Sequence, residues 1–164
     1  MIRVGVIGYG YWGPNLARCL SETEDCQLTA IADQSPVALK RAARRYPGAL
    51  LTTNWVEVVR NSAIDAVAIA TPVESHFEIA AASLLAGKHV LVEKPITRTV
   101  EEAQRLIDLA AAKGKIVLVD HTFCYTPAVE MLSDLVSAGT LGDLYYYISN
   151  RMNLGAFRSD VYVI

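Results

Sequence analysis

Short apolar runs alternate with segments of helical spacing through most of this chain. The runs at residues 4–7, 28–32, 49–51, 66–70, 89–92 and 116–119 have strand length, and several carry no polar position at all. An uninterrupted apolar run of that size fits a strand buried on both faces. The intervening segments carry helix punctuation. Pro14 stands where a first helix opens, running to about Leu20. Ser35 and Pro36 form an N-cap followed by proline, and Pro47 and Gly48 end that helix. Asn54 with Glu57, and Thr99 with Glu102, have capping-box spacing. Residues 75–86 read as another helix stopped by Gly87, and Gly114 stops the helix on which Ala103, Leu106, Ile107 and Ala110 recur. Strand and helix in strict alternation predict an α/β fold, a doubly wound parallel Rossmann sheet of order 3-2-1-4-5-6.

The pattern changes after residue 121. Thr126 and Pro127 open a helix with Val129, Leu132 and Val136 on one side, closed by Gly139. Then Leu144, Tyr146, Ile148, Met152 and Leu154 alternate with Tyr145, Tyr147, Ser149, Arg151 and Asn153. That period of two predicts a half-polar strand of an open antiparallel sheet. No further strands follow before Ile164, and a long strand without partners is an aggregation risk. The expected division is therefore a dinucleotide-binding domain at residues 1–121, followed by residues 122–164 as the truncated start of an α+β substrate domain.

Composition narrows the class. With 164 residues, 52% hydrophobic and 20% charged, the chain is expected to be globular, and its net charge of −2 gives no reason to expect nucleic acid or a membrane surface as partner. No apolar run approaches the length that spans a bilayer. The first strand follows Met1 almost directly, which leaves no room for a signal peptide, so a cytoplasmic location is expected. Cys19, Cys26 and Cys124 fit no metal-ligand spacing and are expected as reduced thiols, with Cys19 packed on a helix face.

The chemistry is concentrated where strands end. Gly8, Gly10 and Gly13 follow the first strand immediately and precede a helix, the order a dinucleotide site requires. Gly8 permits the tight turn, Gly10 lets a pyrophosphate approach the backbone, and Gly13 allows close helix–strand packing. The helix N-terminus then presents N–H groups and partial positive charge to phosphate. Asp33, twenty residues past Gly13, closes the second apolar run. A carboxylate there binds both ribose hydroxyls of NAD and repels the 2′-phosphate of NADP, and no Arg stands directly beside it in sequence. A tight turn with a surface Asp is the bland alternative.

Five stretches extend this reading: Gly8, Tyr9, Gly10, Tyr11, Trp12, Gly13, Pro14 and Asn15; Ala70, Thr71 and Pro72 with His76; Glu93, Lys94 and Pro95; Asp120 to Pro127; and Arg151 to Gly155. On these residues the chain resembles the glucose–fructose oxidoreductase, inositol dehydrogenase and MocA-like oxidoreductases, nearest to the branch acting on nucleotide-linked sugars. The resemblance implies that Lys94 lies beside the nicotinamide and is the catalytic residue, with a cis peptide before Pro95. An ammonium there polarises a substrate hydroxyl and stabilises the alkoxide. It further implies that Tyr11, Trp12, Thr71, Pro72 and Glu93 line the cofactor, Glu93 either contacting it or positioning Lys94. His76 is open between a place near the cofactor and packing at a helix start. His121 and Tyr125 either border the nicotinamide or make structural hydrogen bonds; Arg151 and Asn153 either meet substrate or are solvated.

The expected function is an NAD-dependent oxidoreductase acting on a secondary alcohol of a sugar, nucleotide-linked, in a homo-oligomer. The family's Asp and His pair on a later helix has no counterpart here. A fragment that binds cofactor without a full active site is therefore expected. The alternative is a non-catalytic dinucleotide-binding sensor or interaction module.

Overall fold

The computed structural model describes residues 1–150 and Met152. Six parallel strands, β1 (Ile2–Ile7), β2 (Cys26–Ala32), β3 (Leu50–Thr52), β4 (Ala66–Ile69), β5 (His89–Val92) and β6 (Val117–Val119), form one sheet in the order β3-β2-β1-β4-β5-β6. The helices are α1 (Gly13–Glu22), α2 (Pro36–Arg45), α3 (Trp55–Arg60), α4 (His76–Leu85), α5 (Val100–Lys113) and α6 (Pro127–Ser137). A short 3-10 turn, Val73–Ser75, precedes α4.

Alternation within the strands explains how apolar runs serve two faces. Val4 and Val6 of β1 and Ala68 of β4 pack with Leu16 and Ala17 of α1 and Ala38 and Ala42 of α2. Ile7 of β1 and Val67 and Ile69 of β4 turn the other way, against Val58, Ile79, Leu84 and Leu106 of α3, α4 and α5. Burying an aliphatic side chain of this size stabilises by about 1.5–3 kcal/mol, and both faces of the central strands contribute. Small Ala17, Ala38, Ala42 and Ala80, all buried, let the helices approach the sheet closely.

The caps follow the sequence with two local differences. Ser35, Asn54 and Thr99 side chains accept from the N–H groups of Ala38, Val56 and Glu102. The reciprocal halves of the expected capping boxes are diverted: the Asn54 N–H donates to Thr52 Oγ1 at 3.0 Å, and Glu102 Oε2 accepts from Arg98 N–H at 3.3 Å. Cys19 does not pack on a helix face. It is exposed, because α1 meets the sheet through Leu16, Ala17 and Leu20.

The chain divides into two units, Met1–Thr122 and Phe123–Ile164. In the second, Val129, Leu132 and Val136 of α6 are 38%, 44% and 46% exposed. The strand expected from residue 144 onward is not formed at residues 144–150. Tyr145, Tyr146, Tyr147 and Ile148 are all at least 75% exposed, so the alternating faces are equivalent. Among the described residues none pairs with this segment in a ladder, and alternation by itself does not make a strand. Arg151, Asn153 and Leu154 lie outside the described residues. Among the described residues no helix is long and apolar enough to cross a membrane.

Candidate cofactor and active site

All the ends of the parallel strands that the sequence singled out lie along the carboxyl edge of the sheet in the first unit. After β1 the chain turns at Gly8, whose φ is +95° and whose N–H donates to the Ala32 carbonyl at 2.8 Å. A Cβ on Gly8 would sit 2.6 Å from the Ala70 carbonyl carbon and oxygen, and one on Gly13 would run into the Gly8 carbonyl. Only hydrogen fits at both. Gly10 differs, since a Cβ there would meet nothing within 4 Å. It faces open space ahead of α1, whose first turn contains Pro14 and has no side-chain cap. Pro14 has no N–H and those of Asn15 and Leu16 donate to the Trp12 carbonyl, so an anion here would meet the backbone around Gly10 and the positive end of the helix dipole. This cradle fits the pyrophosphate of a dinucleotide.

Asp33 follows β2 and reaches back to the same turn. Its Oδ2 accepts the Tyr9 N–H at 2.5 Å and its Oδ1 accepts the Ser35 N–H at 2.7 Å. Two N–H donors fix the carboxylate while leaving further lone pairs on each oxygen. The Arg41 Nη2 donates to the Tyr9 carbonyl at 3.4 Å. Sequence reading found no Arg beside Asp33; the α2 helix carries this one, eight residues further on, to the same loop. Tyr11 is 75% exposed.

The loops after β4 and β5 are joined by His76, at 1% exposure the most buried polar ring in the site. Its Nδ1 lies 2.9 Å from the Pro95 carbonyl oxygen and its Nε2 2.9 Å from that of Thr71. Both ring nitrogens are thereby turned to backbone, which matches the packing alternative for His76. Ser75 Oγ donates within reach of Thr71 Oγ1 and the Pro72 carbonyl, 2.8 Å in each case. The Lys94–Pro95 peptide is cis. His121 is exposed, with its N–H donating to the Val119 carbonyl at 2.8 Å, and Tyr125 belongs to the second unit.

Asp120 opens one of the stretches that carry the resemblance, but the sequence assigned it no role at the site. Val92 and Val119 are partners in the β5–β6 ladder, so the residues that follow them, Glu93 and Asp120, emerge side by side. Each stands one place beyond an apolar run, which is the signal that could have paired them. Burial pushes the Glu93 carboxyl up to about 7, reinforced by its hydrogen bond to Asp120 and by that residue's charge, while the Lys94 backbone and ammonium oppose the shift. Glu93 Oε1 is buried with no hydrogen-bond partner. From the glycine turn the Trp12 Nε1–H donates to Asp120 Oδ2 at 3.4 Å. Since β4 and β5 separate β1 from β6, this indole crosses their carboxyl ends.

Comparison with known proteins decides the lineage. Residues 2–121 match the oxidoreductase family described by its NAD-binding Rossmann fold. The chain belongs to this oxidoreductase family. A levoglucosan dehydrogenase of Pseudarthrobacter phenanthrenivorans is 36% identical over 149 residues, which is 86% of this chain and 38% of that protein. The scyllo-inositol dehydrogenase of Lactobacillus casei, solved with bound NAD(H) and scyllo-inositol, superposes with a TM-score of 0.81 at 25% identity, over 87% of this chain and 43% of that one. KijD10, a 3-ketoreductase of Actinomadura kijaniata solved with NADP and TDP-benzene, gives 0.77 at 30% identity, over 84% and 42%. This family member thus spans about two-fifths of the length of the relatives it matches. Its six-stranded parallel sheet is the nucleotide-binding fold those relatives share.

Proposed function

We propose that the chain binds NAD along the carboxyl edge of its sheet and belongs to an oxidoreductase that acts on a secondary alcohol of a sugar. The glycine turn carries this reading: Gly8 and Gly13 admit no Cβ and hold the turn tight after β1, while Gly10 between them leaves the backbone open to a ligand ahead of α1. Asp33, held by two N–H groups, accepts the ribose hydroxyls and disfavours a 2′-phosphate. When bound, the nicotinamide supplies hydride acceptor or donor chemistry.

The protein's own work is then to bind, orient and stabilise. Lys94, leaving β5 through the loop that His76 holds to Thr71, hydrogen-bonds the substrate hydroxyl and favours its negative charge as the proton departs. Thr71 and Pro72 shape the wall after β4, Tyr11 and Trp12 the mouth of the glycine turn. Residues 1–121 are assigned to cofactor and residues 122–164 to the substrate side. Similarity to a 3-ketoreductase bound to TDP-benzene supports a nucleotide-linked sugar, and a homo-oligomer is the assembly assigned.

Calorimetric titration with NADH and NADPH tests the cofactor reading: NADH binds and NADPH binds at least about tenfold more weakly, a difference of 1.4 kcal/mol. No heat and no fluorescence change at millimolar cofactor would refute it. Turnover is tested against nucleotide sugars and free sugars with the longest form its gene encodes, and light scattering reads the assembly.

A further inference from the structure

Glu93 and Asp120 are two carboxyl groups placed side by side by the register of β5 and β6, in a position that neither the glycine motif nor the lysine loop explains. Like charges in contact cannot both ionise freely, so such a pair retains one proton across a wide pH range. Three observations bear on where that proton sits. Glu93 Oε1 is buried without a partner, which disfavours a charge on Glu93. The Trp12 indole donates to Asp120 Oδ2, so that oxygen already serves as an acceptor. The Glu93 carboxyl is displaced upward toward neutrality by burial and by Asp120.

The surrounding charges are few. The end of β6 supplies Asp120 and the end of β5 supplies Lys94, while the glycine turn contributes the uncharged Trp12. From β4 and α4 come uncharged Thr71 and the His76 ring, which is turned to the Thr71 and Pro95 carbonyls. Among these only the Lys94 backbone and ammonium favour a charge on Glu93, and burial together with Asp120 outweighs them.

This inference rests on the cofactor reading above, in which the nicotinamide half occupies the carboxyl ends of β4 and β5 that the Trp12 indole crosses. Oxidised nicotinamide is a cation and reduced nicotinamide is neutral. We propose that Glu93 and Asp120 form a proton-linked pair that distinguishes the two redox forms of the cofactor, releasing its shared proton to solvent when NAD⁺ binds and keeping it when NADH binds. Asp120 is then a positioning residue: it acts on the cofactor through the proton it shares with Glu93 and through Trp12. The cation of the oxidised ring adds to the Lys94 ammonium, which by itself does not offset burial and the neighbouring Asp120. Linkage gives the sign, because a ligand that favours the deprotonated site binds better as pH rises.

The test is calorimetry of the full chain with NAD⁺ and with NADH at pH 6, 7 and 8, each in two buffers of different ionisation heat. The expected result is an NAD⁺ affinity that rises by up to about tenfold from pH 6 to 8, with about half a proton released at pH 7. NADH affinity changes less than about twofold over the same range. Asp120→Asn removes the neighbouring charge while keeping shape, so Glu93 ionises at lower pH and both the NAD⁺ pH dependence and the proton release at pH 7 shrink. Glu93→Gln shrinks both from the other partner, and circular dichroism establishes that each variant is folded. Equal pH profiles for NAD⁺ and NADH, or an unchanged NAD⁺ profile in both folded variants, overturn the pair's role while leaving the cofactor site standing. Failure of either cofactor form to bind the wild-type chain overturns the site reading and this inference with it.

Discussion

The carboxylate of Asp33 accepts the backbone N–H of Tyr9 at 2.5 Å, tying the end of β2 to the glycine turn after β1. With Ser35 N–H on its other oxygen, both oxygens face donors before any ligand arrives. In Asp33→Asn, the amide nitrogen must face one of those N–H groups. The loss of a charged acceptor at such a position costs about 1.5–3 kcal/mol. The variant is expected to lose at least about tenfold in NADH affinity by calorimetry. With the carboxylate gone and Arg41 still at the Tyr9 carbonyl, its preference for NADH over NADPH narrows as well.

The three glycines of the turn separate fold from binding. Gly8→Ala combines a positive φ with overlap against Ala70, so urea unfolding is expected to show a loss of about 2–4 kcal/mol. Gly10→Ala meets open space and changes stability by less than about 0.5 kcal/mol. On the proposed cofactor reading its methyl would stand where the phosphates approach, and NADH affinity is expected to fall by at least about tenfold. Unaltered NADH binding in a folded Gly10→Ala variant counts against the cradle.

His76→Leu leaves the Thr71 and Pro95 carbonyls without the ring nitrogens that face them, in a position only 1% exposed. A ring with one N–H donates to one of these part-buried carbonyls at a time, so the loss is about 1–3 kcal/mol in all, and the urea midpoint is expected to fall accordingly. Because the ring joins two loops, amide exchange should accelerate in both residues 71–76 and 93–97. Acceleration in one loop alone would contradict the bridging role.

Glu93 supplies a pH test of stability. Its carboxyl titrates at about 7 in the folded chain against an ordinary value of 4.5, so ionisation is disfavoured by folding. Below about pH 4.5 both states are protonated and no penalty exists; it grows as pH rises toward 7 and is complete above it. Glu93→Gln is therefore expected to match wild type at pH 4 and to exceed it at pH 8. Allowing for solvent screening of this partly exposed group, the gain is about 1 kcal/mol, or a few degrees in Tm. An equal Tm difference at both pH values would show that Glu93 does not titrate in this window.

Much of this was legible along the chain because the signals are local. Continuous apolar runs with glycine and proline punctuation gave the six strands and their helices, and a parallel sheet with glycines after its first strand leaves one common strand order. The cis Lys94–Pro95 peptide, expected from the Glu-Lys-Pro stretch, is present. Where a feature needs a distant partner, the local signal failed. The alternation after residue 144 predicted a strand, but residues 144–150 have no ladder to join. Cys19 sat at a plausible helical spacing, yet which side of α1 meets the sheet depends on Leu16 and Ala17.

By itself, then, the sequence determined the alternation of elements, the glycine turn and the identity of the charged residues that end the strands, because propensity, capping and hydrophobic period act within a few residues. Tertiary structure alone decided which of those residues meet. Ladder register sets Glu93 beside Asp120 across 27 positions, a helical turn delivers Arg41 to the Tyr9 carbonyl, and His76 spans two loops. Such pairings are fixed by strand order and helix packing, which bring together side chains that no local pattern connects.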